Sequence, residues 1–184
     1  SDERQWTWMD EGLNSFLEYV ASMEWDPNFP ADRGPAKNII PYMSGSQKGL
    51  EPIMTNSEAI RQFGNNAYGK PATALNILRE TVMGRELFDY AFKTYANRWK
   101  FKHPTPEDFF RTMEDASAFD LDWYWRGWFY TTDYNDIGIK EVKKYFVSNE
   151  PSKEVDDFLK SRRRRYRIEG AMVYLIADGS ESFK

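Results

Sequence analysis

The stretch Trp6-Thr7-Trp8-Met9-Asp10-Glu11-Gly12-Leu13-Asn14-Ser15-Phe16-Leu17-Glu18-Tyr19 decides how the rest of the chain is read. Leu13, Phe16, Leu17 and Val20 recur at helical spacing, which predicts one apolar face on a first helix running from about Trp6 to Trp25. Glu11, Ser15 and Glu18 are offset from that stripe and group on roughly the opposite face. A carboxylate therefore stands early on an amphipathic helix, away from its apolar side. On physical grounds alone this is ordinary, because an acidic side chain in the first turn is favoured by the helix dipole. The segment Asp26–Pro30, with two prolines and an asparagine, ends the helix.

Outward from this segment the pattern stays helical. Residues Gly34–Met54 carry three prolines (Pro35, Pro41 and Pro52) and several glycines and read as irregular. Thr55 with Glu58 three residues on predicts a capping box and a short helix, broken by Gly64-Asn65-Asn66. Tyr68-Gly69-Lys70-Pro71 leads into a helix through about Met83, with Pro71 in its first turn. Gly84 separates it from a helix over Arg85–Lys100, whose broad buried face comprises Leu87, Phe88, Ala91, Phe92, Tyr95 and Trp99. Thr105-Pro106-Glu107-Asp108 is a helix start continued by Phe109–Ala116, and Leu121–Tyr130 reads as a very aromatic helix with Trp123, Trp125 and Trp128 in the core. After Thr132 the texture changes to extended chain at Ile137-Gly138-Ile139, Val142–Val147 and Ala171–Ile176, with a charged helix over 152–167. The boundary is placed there, giving a helical part over 1–132 and an extended/β segment over 133–184.

Composition excludes several classes of function. Of the 184 residues, 41% are hydrophobic and 17% aromatic, enough apolar surface to offset chain entropy and form a core. Twenty-five basic against 29 acidic residues leave a net charge of −4, so no dominant basic field is available for nucleic acid. No apolar run is long enough to span a membrane. The absence of cysteine excludes a disulfide framework and a thiolate metal site. His103, the only histidine, precedes Pro-Thr-Pro in a loop and reads as structural; Arg162–Arg165 read as a solvated basic run.

The segment Trp8-Met9-Asp10-Glu11-Gly12, followed by Phe16-Leu17-Glu18-Tyr19, resembles the third-ligand motif of the aminopeptidase N family of zinc metallopeptidases, the gluzincins. Asn66-Ala67-Tyr68-Gly69-Lys70-Pro71-Ala72 is similar to that family's Ser-Tyr-x-Lys-Gly-Ala segment, departing from it in Pro71, where glycine is usual. Glu51-Pro52-Ile53 and Ser57-Glu58-Ala59-Ile60 are similar to the family's approach to this tyrosine. His103-Pro104-Thr105-Pro106-Glu107-Asp108-Phe109-Phe110, then Asp120-Leu121-Asp122-Trp123-Tyr124-Trp125 and Trp128-Phe129-Tyr130, resemble its closing helices. Together these matches cover residues 6–132.

The resemblance implies a mainly α fold, the helical C-terminal subdomain of a thermolysin-like metallopeptidase. It implies that Glu11 is a zinc ligand, that Tyr68 stabilises the oxyanion of the tetrahedral intermediate, and that Asp10 and Glu18 are candidates to orient ligands. It also implies peptide substrates, cleaved next to a free N-terminus, and an extracytoplasmic parent. No HExxH and no Gly-x-Met-Glu-Asn segment occurs in the 184 residues. The two histidines and the general base are therefore expected in an upstream part of the same catalytic domain. By itself the chain is expected to hold zinc weakly and to lack peptidase activity. The competing reading is a non-catalytic helical interaction module on the same scaffold, with self-association through exposed edges as a further possibility.

Overall fold

The computed structural model describes residues 1–134, Val142, the strands at 145–148 and 174–177, Lys153 and Asp157. The chain divides into two compact units, Ser1–Asn135 and Asp136–Lys184. In the second, β1 (Tyr145–Ser148) pairs antiparallel with β2 (Tyr174–Ala177), Tyr145 standing opposite Ala177. Lys153 and Asp157 are helical. Ile137-Gly138-Ile139 and Arg162–Arg165 lie outside the described residues.

The first unit is helical: α1 (Glu11–Trp25), α2 (Ala36–Met43), α3 (Lys70–Ile77), α4 (Arg85–Trp99), α5 (Pro106–Ser117) and α6 (Asp122–Trp125). A 3-10 turn over Thr7–Met9 precedes α1, so the first helix does not begin at Trp6. Pro41 does not keep Gly34–Met54 irregular, because α2 runs through it. The predicted capping box at Thr55 does not form. Asn56 instead accepts from the Glu58 amide to start a 3-10 turn over Ser57–Ala59, and the Thr55 hydroxyl donates to the Pro52 carbonyl at 2.7 Å.

Gly64-Asn65-Asn66 does not break the chain either. A π-helical turn over Gly64–Gly69 runs directly into α3, and a second π turn over Leu78–Val82 closes it. The wide turn explains how Pro71 is accommodated. A proline inside a regular helix has no amide to donate and its ring strikes the carbonyl four residues back. Here the Lys70 amide reaches the Asn65 carbonyl, a bond spanning five residues, and the turn is opened just before the proline ring. Gly84, at φ 81°, separates this helix from α4 in a conformation only glycine adopts without strain.

The core lies under α3–α6. Phe109 is wholly buried and meets Trp8, Tyr95 and Trp125 at ring-centroid distances of 5.9, 4.8 and 5.9 Å. Phe110 stacks on Trp8 and Trp125. The start of α5 behaves as read: Thr105 and Asp108 form a reciprocal capping box with Pro106 in the first turn. Of the tryptophans placed in the core, Trp125 is buried and Trp128 half-buried, but Trp123 is 60% exposed. α6 is followed by a π turn over Arg126–Tyr130, so helical spacing does not carry all three rings inward.

Candidate functional site

The first helix is buried on two sides, not one. Phe16 enters the core, and Leu13 and Val20 pack against it, but Leu17 is 46% exposed. Ser15, read as part of the polar face, is buried at 4% exposure together with Gly12. The helix that carries Tyr68 covers this second side. A Cβ placed on Gly12 would lie 2.6 Å from Pro71 Cγ and 3.1 Å from the Ala67 carbonyl oxygen, closer than side chains tolerate. Gly12 thus lets two helices approach until backbone nearly meets ring. Pro71, the departure from the expected motif, is the group that fills the space over Gly12.

This close seam brings the two named residues together. Glu11, in the first turn of α1, is half-buried, and so is Tyr68, within the π turn. The Tyr68 hydroxyl faces the Glu11 carboxylate. The hydrogen bond to Glu11 holds the phenol above its ordinary 10.0, with some desolvation and the charges of Glu11 and Asp10 acting the same way. Arg33 opposes them, its guanidinium carbon 4.2 Å from the centroid of the Tyr68 ring. On its edge the ring is met by Phe63 at 5.9 Å.

The turn bearing Tyr68 is tied down on its inner side. Asn66 Nδ2 donates to the Pro52 carbonyl at 2.7 Å, and Lys70 Nζ to the Glu51 carbonyl at 3.2 Å. The Glu51 carboxylate accepts from the amides of Arg61 and Gln62, which lead into the turn. Lys70 is 1% exposed, and burial lowers its amine to about 8. One carbonyl partner does not compensate a buried charge, so the site holds its lysine at the edge of neutrality.

The other candidates stand apart. Asp10 is exposed and does not cap α1 with its side chain, although its charge is felt at Tyr68. Glu18 and His103 are exposed, and no hydrogen bond or ion pair joins either to Glu11 or Tyr68. Glu114, Asp120 and Asp122 bring carboxylate oxygens within 4.8 Å of one another. Glu114 accepts from the Leu121 amide and Asp120 from the Asp122 amide, so two of these three carboxylates satisfy the start of α6. The groove lined by Phe110, Arg111, Trp123, Arg126 and Tyr130 shares no residue with the Glu11–Tyr68 pair. Reading the sequence missed Gly12, Lys70 and Arg33. A glycine directly after the candidate ligand and a lysine inside the Tyr68 motif were the signals available for the first two.

Residues 3–128 match the peptidase family M1 domain, and the chain belongs to this family of metallopeptidases. It is 27% identical over 143 residues to glutamyl aminopeptidase of Bos taurus, covering 74% of this chain and 15% of that protein. It is 23% identical over 138 residues to probable aminopeptidase 1 of Sulfurisphaera tokodaii, covering 72% of this chain and 17% of that protein. Human glutamyl aminopeptidase is 22% identical over 145 residues. The chain therefore spans only a small part of the length of the curated relatives it matches. No solved structure matches it. Among the described residues, no helix is long and apolar enough to cross a membrane.

Proposed function

We propose that this chain is one wall of the active centre of a zinc aminopeptidase, with Glu11 as a zinc ligand and Tyr68 as the residue that stabilises the oxyanion. The observation that carries the reading is the pairing of the Tyr68 hydroxyl with the Glu11 carboxylate across the Gly12 seam. A metal held by one carboxylate and an oxyanion donor must converge on the same reacting carbonyl, and Glu11 and Tyr68 stand close enough to interact.

The donor set fits zinc in part. Glu11 offers one hard oxygen ligand, whereas a zinc site needs three protein ligands and an open position. Among the described residues no group of three His, Asp or Glu side chains includes Glu11; the family resemblance implies two histidines from an upstream part of the domain for the remaining positions. When bound, zinc polarises the scissile carbonyl and its own water. The residues of this chain supply part of the remainder: Glu11 would hold one coordination position, Tyr68 would present an O–H to the developing oxygen charge, and the Asn66–Pro52 and Lys70–Glu51 hydrogen bonds tie down the turn that bears Tyr68. Asp10 biases the local field.

The test uses the longer protein that contains this segment, with peptide p-nitroanilides bearing a free amino terminus. Tyr68→Phe lowers kcat by about 100- to 1,000-fold with intact zinc content, the loss expected for one oxyanion donor. Glu11→Ala lowers the zinc-to-protein ratio. Full activity in both variants would take these roles away from Glu11 and Tyr68, and absence of peptidase activity in the unaltered longer protein would leave the helical-module reading in its place. The 184-residue chain alone retains little zinc after dialysis; tight one-to-one binding would contradict the partial donor set.

A further inference from the structure

The loop between α1 and α2 is built to present one side chain. Asn38 Nδ2 donates to the carbonyls of Ala31 and Asp32 at 2.8 and 3.1 Å. Asn76, itself buried in α3, donates to the Gly34 carbonyl at 3.2 Å. Gly34 sits at φ 100°, and a Cβ there would come 2.6 Å from the Tyr19 ring. The backbone is thus pinned immediately before and after Arg33, from two different helices, with glycine required for the loop to close on α1.

Arg33 itself is exposed and lays its guanidinium on the Tyr68 ring. Among the described residues it forms no salt bridge and donates no hydrogen bond. Stacking on a ring face leaves the in-plane N–H fork of a guanidinium free, and that fork matches the two oxygens of a carboxylate. It is the positive group that counters Glu11 and Asp10 around the Tyr68 hydroxyl. One residue of extended chain spans about 3.3–3.6 Å, so a group one residue from a carbonyl held at that hydroxyl comes within reach of a guanidinium seated on the same ring.

We propose that Arg33 recognises a carboxylate of the peptide substrate lying within one residue of the scissile carbonyl. The inference rests on the aminopeptidase reading above and names a substrate class for it. Two sources carry this chemistry on the residue that follows the scissile bond: the C-terminal carboxylate of a dipeptide, and the side chain of Asp or Glu at that position.

The experiment is a comparison of kcat/KM ratios in the longer, zinc-loaded enzyme. One arm pairs Leu-Ala with its amide Leu-Ala-NH2. The other pairs Leu-Asp-Ala-NH2 with Leu-Asn-Ala-NH2. In the wild type the carboxylate member of at least one pair is favoured by about tenfold, as expected for a charge-assisted bidentate contact. The arm that shows the preference identifies the source. Arg33→Gln brings that ratio to about one, and Arg33→Lys restores part of it. Because each ratio is taken within one preparation, loss of folded protein cancels. A wild-type ratio near one in both arms would overturn the proposal. So would a ratio unchanged in Arg33→Gln while both members fall together, which would leave Arg33 as a support for the Tyr68 ring. Absence of turnover on every wild-type peptide would overturn the aminopeptidase reading, and this inference with it.

Discussion

Around Phe109, rings from α4, α5, α6 and the turn before α1 meet edge to face at 4.8 to 5.9 Å, and the space is filled by bulk. Along the seam between α1 and α3 the contact is made by the absence of a side chain: Gly12 admits Pro71, and Asn66, Lys70 and Asn76 are buried beside it. The two regions divide the work of the helical unit. The aromatic region supplies burial, at about 25 cal/mol per Å² of apolar surface removed from water. The seam gives up part of that gain, since buried polar groups stabilise little unless fully bonded. In return it lets the two helices that carry Glu11 and Tyr68 approach closely. Its satisfaction is incomplete, because Asn66 Oδ1 and Asn76 Oδ1 find no partner.

The comparison can be broken first on the aromatic side. Phe109→Ala removes a wholly buried ring with several ring partners and should cost about 3–5 kcal/mol in urea unfolding. A cost under 1 kcal/mol would mean that the rings do not carry the fold.

The seam answers to pH. The Lys70 amine titrates near 8 when folded and at 10.5 when exposed. Between those values the unfolded state binds more protons, so stability rises with pH through this window. Full use of the window is worth about 3 kcal/mol. Below pH 8 both states are protonated and the term is constant. Tyr95, raised to about 12 by burial and by Asp108, works against it above pH 10, so the gain is best read between pH 8 and 10. Lys70→Met should abolish the rise and be at least as stable as the wild type at pH 7. A parallel pH profile in both proteins would contradict the burial of the amine.

Gly12→Ala tests the approach of the helices. Alanine favours a helix over glycine by about 1 kcal/mol, but the new methyl falls 2.6 Å from a rigid proline ring. Overpacking should win, with a net loss of about 1–3 kcal/mol, and Gly12→Ala with Pro71→Gly should recover much of it. Unfolding of the single and double variants gives the coupling directly. The smallest effect is expected at the site itself. Tyr68→Phe removes a half-exposed hydroxyl and should change stability by no more than about 0.5 kcal/mol. A larger loss would make the Tyr68–Glu11 pair a structural contact first.

Much of this was legible beforehand, for identifiable reasons. The helix start at Thr105, the break at Gly84 and the face of α4 follow from local rules, and the structure keeps them. Where the reading failed, two tertiary causes recur. Leu17 and Ser15 exchanged roles because a second helix covers the side of α1 that periodicity assigned to solvent. Gly64-Asn65-Asn66 and Pro71 looked like interruptions because propensity does not anticipate a π turn that absorbs both.

Residue types and their order alone determined that the first unit is helical and that its core is aromatic; the interest of Glu11 and Tyr68 as a pair came from the likeness of their motifs to a known family. Those conclusions need only spacing, caps and motif order, which are properties of neighbours along the chain. Tertiary structure decided that the Glu11 carboxylate acts on the Tyr68 hydroxyl, that Lys70 is buried, and that Arg33 lies over the tyrosine ring. These depend on how closely two helices pack and where a loop is pinned. No local rule encodes the missing methyl at Gly12 as a distance.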